Sequence, residues 1–395
     1  MLNLLKIIAE RRLKMIYLDN SATTPVASDV LETFVKVNEN FWGNPSSLHA
    51  FGAKAEQLLI QAEKQILTLL KADQHKVLFT SGATESNNLA IKGVCEAYKN
   101  RGRHIITTKV EHDSVYETVR GLEANGFDVT YIDIKGTKED ILKAIESAIR
   151  PDTILISMMH VNSEMGRVLP VYEVGQLIKK YPKIKFHVDA VQSVGKLIVD
   201  IKKMNVDLLS LSAHKIHGIK GSGALIVNQY VKLMPQITGG HQMYGLRAGT
   251  IDVASAVALA KAVRLITEPI NQNYEKTTKL TQTFMKQLTE IEGVSLNRYV
   301  GEYSPYIINL TVAHIKGETL VHALEEHQIY ISSKSACASK TAQASRVLLA
   351  LGLSEQVALN SVRISLSDAT TKKELDAFIT ALKTITVQMR KEMMK

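Results

Sequence analysis

The stretch DLLSLSAHKIHGIKGSGALIVN, residues 207–228, decides the fold. It holds two apolar runs of strand length, DLLSLSA at 207–213 and ALIVN at 224–228, split by a glycine-containing segment. His214 and Lys215 follow the first run directly. Lysine is rarely buried, so one at the end of a strand that reads as fully buried needs an explanation. Either it emerges into solvent or it serves a site at the strand's carboxyl end.

Working outward, similar runs recur: VLFT at 77–80, HIITT at 104–108, VTYID at 129–133, TILISMMHV at 153–161 and KFHVDA at 185–190. Helical stretches fall between them near 84–100, 114–125, 138–149 and 171–180. Continuous apolar strands alternating with helices predict an α/β fold, a mostly parallel seven-stranded sheet covered on both faces. Ligands of such sheets bind beyond the carboxyl ends of the strands. A long, largely helical connection near 253–290 leads to a second pattern. It comprises YIINLTV at 306–312, a helix at 317–327, IYISSKSAC at 329–337 and helices near 343–351 and 371–391. The expected division is an N-terminal extension and packing segment (1–24), a large domain (25–259) and a smaller α+β domain (260–395).

The strand ends carry the chemistry. SGATESNN after VLFT is a small turn entering a helix, where backbone N–H groups and the helix dipole can hold a phosphate. By itself it is equally a helix cap. Glu111, His112 and Asp113 follow HIITTKV; Asp189 and then Gln192 follow KFHV; His214 and Lys215 follow DLLSLSA. Each has an ordinary reading alone, as a surface histidine, a paired carboxylate or an emerging lysine. Together they set a phosphate cup, an imidazole, an anion and a lysine along one sheet edge. That set suits pyridoxal 5′-phosphate (PLP). A lysine bonds its aldehyde, an aspartate partners its pyridinium nitrogen, and Thr84 in the turn meets its phosphate. His112 would cover the ring and move protons.

Composition narrows the alternatives. No apolar run approaches membrane-spanning length. The chain has only two cysteines, Cys95 and Cys337, which argues against a disulfide framework and suits a reducing, cytoplasmic setting. There is no CxxC and no HExxH, and His214 and His217 lack obvious co-ligands, so no metal is expected. The net charge of +9 is concentrated at the two ends. Without the clustered basic and aromatic pattern of a nucleic-acid reader, it reads as solvated surface, with no sequence-specific nucleic-acid binding. Residues 1–14 are amphipathic but resemble neither a secretory signal nor a transit peptide. Cys95, on the apolar stretch IKGVCEAY, reads as core.

From about Tyr17 to Asp376, nearly the whole chain, the sequence resembles the cysteine desulfurases, PLP enzymes of the class V aminotransferase family with aminotransferase fold type I, and ten segments in register carry the resemblance. They are YLDNSATT, FWGNPSSLH, SGATESNNLAIKG, EHDSV, HVNSEMG, HVDAVQSVGK, SLSAHKIHG, RAGT, SSKSACAS and SVRISLS. The resemblance implies Lys215 as the cofactor-bonding lysine, Asp189 as the pyridinium partner, and Gln192 and Asn162 near the phenolic oxygen. It places Ala83, Thr84, Ser212 and His214 around the phosphate, with Thr250 reaching it from the second subunit of a homodimer. His112 is the acid–base group. Arg363 binds the substrate carboxylate as a bidentate fork, assisted by Asn44. Cys337, in the polar setting ISSKSACASK, is the nucleophile.

The implied reaction converts L-cysteine to L-alanine. Sulfur passes to Cys337 as a persulfide and then to an acceptor, an iron–sulfur scaffold protein, a tRNA thiolation enzyme or a thiamine-pathway carrier. The alternatives are selenocysteine lyase, a small-substrate aminotransferase and a non-catalytic sulfur-relay scaffold. Three positions depart from the family pattern: Lys334 where glycine is common, Met243 for glutamate and Asp252 for asparagine. A charge at Lys334, three residues from Cys337, would favour its thiolate.

Overall fold

The computed structural model describes residues 15–333 and 343–393 of the 395-residue chain. The expectations placed on residues 1–14, on Lys334 and on Cys337 lie outside the described residues.

In chain order the first elements are β1 (Ile16–Tyr17), α1 (Ser28–Asn40), α2 (Ala50–Leu69), β2 (His75–Thr80), α3 (Ala83–Tyr98), β3 (His104–Thr108) and α4 (Asp113–Glu123). Next come β4 (Asp128–Ile132), α5 (Lys138–Ala148), β5 (Thr153–Met159), α6 (Val171–Ile178), β6 (Lys185–Asp189) and α7 (Ile201–Met204). Then follow β7 (Leu208–Ser212), β8 (Gly223–Asn228), α8 (Val253–Thr267) and α9 (Ile270–Thr289). The chain continues through β9 (Val294–Leu296), β10 (Ile307–Val312), α10 (Gly317–Glu326) and β11 (Ile329–Tyr330). Last are α11 (Arg346–Ala350), α12 (Glu355–Leu359), β12 (Ser361–Ser365) and α13 (Lys372–Met393).

The seven apolar runs form one sheet, in the order β2-β8-β7-β6-β5-β3-β4. β3, β4, β5, β6 and β7 pair in parallel, and only β8 runs against its neighbours β2 and β7. The short 213–222 connection explains that reversal, because a parallel return needs a crossover of a dozen residues or more. Both faces are covered, as the continuous burial of β3, β5 and β7 records.

One polar residue inside this sheet illustrates how such strands tolerate polarity. His187 on β6 bridges Ser157 Oγ on β5 at 2.8 Å and Ser210 Oγ on β7 at 3.0 Å. Both ring nitrogens are satisfied, and burial pushes the imidazole pKa down to about 3, so the ring is neutral.

The long helical connection is two helices, broken at Pro269, which has no N–H to continue the first one. α8 packs against α1 and α2 on the large core. A second cluster, including Leu18, Phe284, Leu310, Ile364 and Phe378, surrounds the antiparallel sheet β12-β10-β9 and helices α9, α10 and α13. The N-terminal segment joins this cluster: β1 pairs in parallel with β11, and the Ser365 N–H donates to Leu18 O at 2.7 Å. Leu348 in α11 and Leu351 just after it pack on the large core instead.

Candidate active site

The turn from β2 into α3 builds an anion cup. Gly82, the N-cap of α3, has φ +149, a region that residues with a Cβ seldom occupy. A Cβ on Gly223, at the start of β8, would lie 2.6 Å from Gly82 Cα, so the two backbones meet at close contact. Glu85 steadies the turn by accepting from Ser81 N at 2.8 Å, while Arg247 Nε donates to Glu85 Oε1 at 2.8 Å. The first N–H groups of the 16-residue helix and its dipole face the cavity beyond.

That cavity holds about 510 Å³, within the usual range for a small-molecule site. Ala83, Thr84, His112, Asp189, Gln192, Ser212, His214, Lys215 and Arg363 all line it. His112 caps α4: Ser114 N–H donates to its Nδ1 at 3.1 Å, so a neutral ring carries its proton on Nε2. Asp189, nearly buried at the end of β6, accepts from Asn87 Nδ2 at 2.9 Å and from Val191 N at 3.1 Å. Lys215 donates from Nζ to the carbonyls of Ser21 and Ala22, each at 2.6 Å. His214 meets Thr23 Oγ1 at 3.1 Å; burial, with Lys215, Lys220 and Lys196, pushes its pKa to about 4, so it is neutral.

Arg363 on β12 is buried and closes the far side. It pairs with Asp19 at 2.8 Å and donates to Ser163 O at 3.0 Å. Ser345 and Arg346, where the described chain resumes after 342, anchor beside the same site. Ser345 Oγ donates to Glu164 at 2.6 Å, and Arg346 donates to Lys109 O, Glu111 O and Asp113 around His112.

Three expected site residues are not on this cavity. Asn162 is fully buried, with Nδ2 on Val110 O at 3.2 Å and Oδ1 accepting from Glu164 N and Met165 N, so its amide shapes the turn after β5. Asn44 is exposed and accepts from Ser46 N at 2.9 Å. Thr250 is exposed and does not line the cavity of its own chain. Cys95 is core, as expected, with its thiol pKa pushed up by burial. Among the family departures, Asp252 has a clear local role as the N-cap of α8, accepting from Ser255 N at 2.9 Å. Met243 is buried in a turn with positive φ.

Sequence reasoning missed several participants. Ser21, Ala22 and Thr23 line the cavity, and Asp19, Asn87, Glu111 and Lys196 support it. Their signal was their presence inside matched motifs. Spacing along the chain carried no hint of which partners they meet.

The residues fit PLP by their own chemistry. An anion cup, a buried carboxylate and a lysine amine converge on one cavity of suitable size. The buried Ser21 Oγ on its wall has no hydrogen-bond partner among the described residues.

The aminotransferase class-V family model matches residues 16–378. A cysteine desulfurase IscS of Vibrio cholerae is 42% identical over 95% of this chain and 93% of its own length. Among solved structures, a NifS-like protein superposes with a TM-score of 0.87 at 34% identity, covering 94% of this chain and 99% of that one. A structure described as SspA in complex with cysteine gives 0.78 at 37% identity, covering 90% of this chain and 100% of its own.

Proposed function

The chain belongs to the class-V aminotransferase family, and from that premise we propose that it is a PLP-dependent cysteine desulfurase. The observation that carries this is the convergence of Lys215, Asp189 and the Gly82 turn on one cavity that Arg363 also lines. When bound, PLP supplies an aldehyde that takes up the substrate amine and a ring that accepts electrons from Cα. The first turn of α3, with Ala83 and Thr84, holds the phosphate, joined by Ser212 and His214. Asp189 keeps a proton on the pyridine nitrogen. Gln192 donates to the phenolic oxygen. Lys215 would hold the cofactor, and its amine, beside the Ser21 and Ala22 carbonyls, would take the Cα proton. His112 would cover the ring and move a proton through Nε2. Arg363 binds the substrate carboxylate.

Cys337 takes the sulfur: the substrate Cβ–S bond breaks, an S–S bond forms, and L-alanine leaves. The persulfide then goes to an acceptor protein, an iron–sulfur scaffold or a tRNA thiolation enzyme. Thr250 serves the phosphate of a second subunit in a homodimer. No helix among the described residues is long and apolar enough to cross a membrane, and a cytoplasmic setting fits the reduced thiol chemistry.

The test is direct. Purified protein should be yellow, and with L-cysteine and a thiol reductant it should release sulfide and alanine in equal amounts. Cys337→Ala should keep the colour and lose sulfide release. Colourless protein that PLP cannot reconstitute, or undiminished sulfide from Cys337→Ala, would sink the reading.

A further inference from the structure

Behind the cavity lies a buried lysine that the proposed chemistry does not use. Lys196 is 7% exposed and forms no ion pair among the described residues. Burying an ammonium without an anion is costly. Burial, with Lys215 and Arg363 nearby, pushes its pKa down to about 7. Its contact is specific: Nζ donates to Gln192 Oε1 at 2.7 Å. Gln192 Nε2 in turn donates to Ser21 O at 3.0 Å, the same carbonyl that accepts from Lys215 Nζ. Gly195, at φ +75, makes the turn that brings Lys196 inward; a Cβ there would collide with Ile266 at 2.5 Å.

The two ends of Gln192 agree on its orientation. In its ammonium form Lys196 only donates, so the amide atom facing it is then oxygen. A carbonyl is only an acceptor, so the amide atom facing Ser21 must be nitrogen. With Oε1 held by Lys196, the second N–H of Nε2 is left for the cavity, which Gln192 lines.

We propose that Lys196 is a positioning residue that, with the Ser21 carbonyl at the other end, clamps the Gln192 carboxamide so that it presents an N–H to the phenolic oxygen of PLP. This rests on the PLP reading above. Without Lys196 the carboxamide keeps only the Ser21 carbonyl as a fixed partner, so its free N–H is aimed less firmly at the anionic oxygen. A donor to that oxygen favours its ionised form.

The experiment is a double-mutant cycle on PLP binding, using the full chain stripped of cofactor. Lys196→Met should raise the PLP dissociation constant about tenfold, the effect of one buried hydrogen bond. It should also move the pH midpoint of the bound cofactor's visible absorbance upward. Gln192→Ala should weaken PLP to a similar degree, and the double variant no further than Gln192→Ala alone. Multiplying effects, or an unchanged dissociation constant and midpoint in Lys196→Met, overturn the proposal. If Lys196→Met does not fold, as judged by circular dichroism, Lys196→Gln replaces it, since it keeps an N–H donor without the charge. Affinity retained within about threefold then supports the proposal, and a loss as large as that of Gln192→Ala overturns it. Wild-type protein that binds no PLP fails the underlying reading as well, so the two failures are separable.

Discussion

Arg363 and Asp19, 344 residues apart, form a 2.8 Å ion pair on the wall of the cavity. Asp19 also accepts from Ser332 Oγ at 2.9 Å, so a carboxylate from the N-terminal segment aims the arginine. Both partners are largely removed from solvent. Breaking a buried pair leaves an uncompensated charge, so Asp19→Ala should lower the unfolding free energy by about 3–5 kcal/mol in a urea titration. Arg363→Lys keeps the charge and loses the fork. It should raise KM for L-cysteine roughly tenfold to a hundredfold with a smaller effect on kcat, by steady-state sulfide release.

Lys215 is the amine nearest the Ser21 and Ala22 carbonyls, and it is the group that should bond PLP. Borohydride treatment of the yellow protein should fix the cofactor to the peptide containing Lys215, as read by mass spectrometry. Lys215→Ala should lose both this adduct and sulfide release.

The anion cup depends on a close backbone approach. Gly223→Ala would set a Cβ 2.6 Å from Gly82 Cα and 2.7 Å from Leu211 O, neither of which can step aside as a side-chain tip could. Overpacking of this kind should cost about 1–3 kcal/mol and weaken PLP binding, since the displaced atoms belong to the phosphate turn. Gly82→Ala meets only Ser212 Oγ, at an ordinary contact of 3.6 Å, but needs φ +149, so it should show the affinity loss through backbone strain.

Glu111 gives a pH prediction. It is fully buried, accepts from Thr108 Oγ1 at 2.5 Å and Met159 N at 3.1 Å, and its pKa is raised to about 8, chiefly by burial. The folded state therefore binds a proton more tightly than the unfolded state. Its contribution is full below the unfolded carboxylate pKa near 4.5 and is lost as pH rises toward about 8. Glu111→Gln removes this ionisation, so its stability relative to wild type should rise across that window by a few kcal/mol, in denaturation curves at pH 5 and pH 8.5. An unchanged difference between the two pH values would contradict the buried-acid assignment.

How much was legible in advance follows from the range of each interaction. The sheet was readable because burial on both faces writes apolar runs into consecutive residues, and HIITT at 104–108 coincides with β3. Lys215, Asp189 and His112 were readable because each directly follows or closely trails such a run. The family resemblance alone set Asn162 near the phenolic oxygen, and in the fold its amide bonds the backbone of its own turn. Polarity records that a partner exists and not which one. Lys196 stood in the matched HVDAVQSVGK segment with no role, because only its inward turn at Gly195 shows what it meets.

By itself, the sequence determined the order of buried strands, the chemical groups at their ends and the family. Those follow from local periodicity and from residue types at fixed offsets, which need no partner to be read. Only the tertiary structure decided that Asp19 aims Arg363, that Ser21 and Ala22 receive Lys215, and that Lys196 orients Gln192. Three of these four partners come from the N-terminal segment, carried to the far end of the chain by the pairing of β1 with β11. Contacts across such separations are set by how packed surfaces meet in space, and no spacing along the chain encodes them.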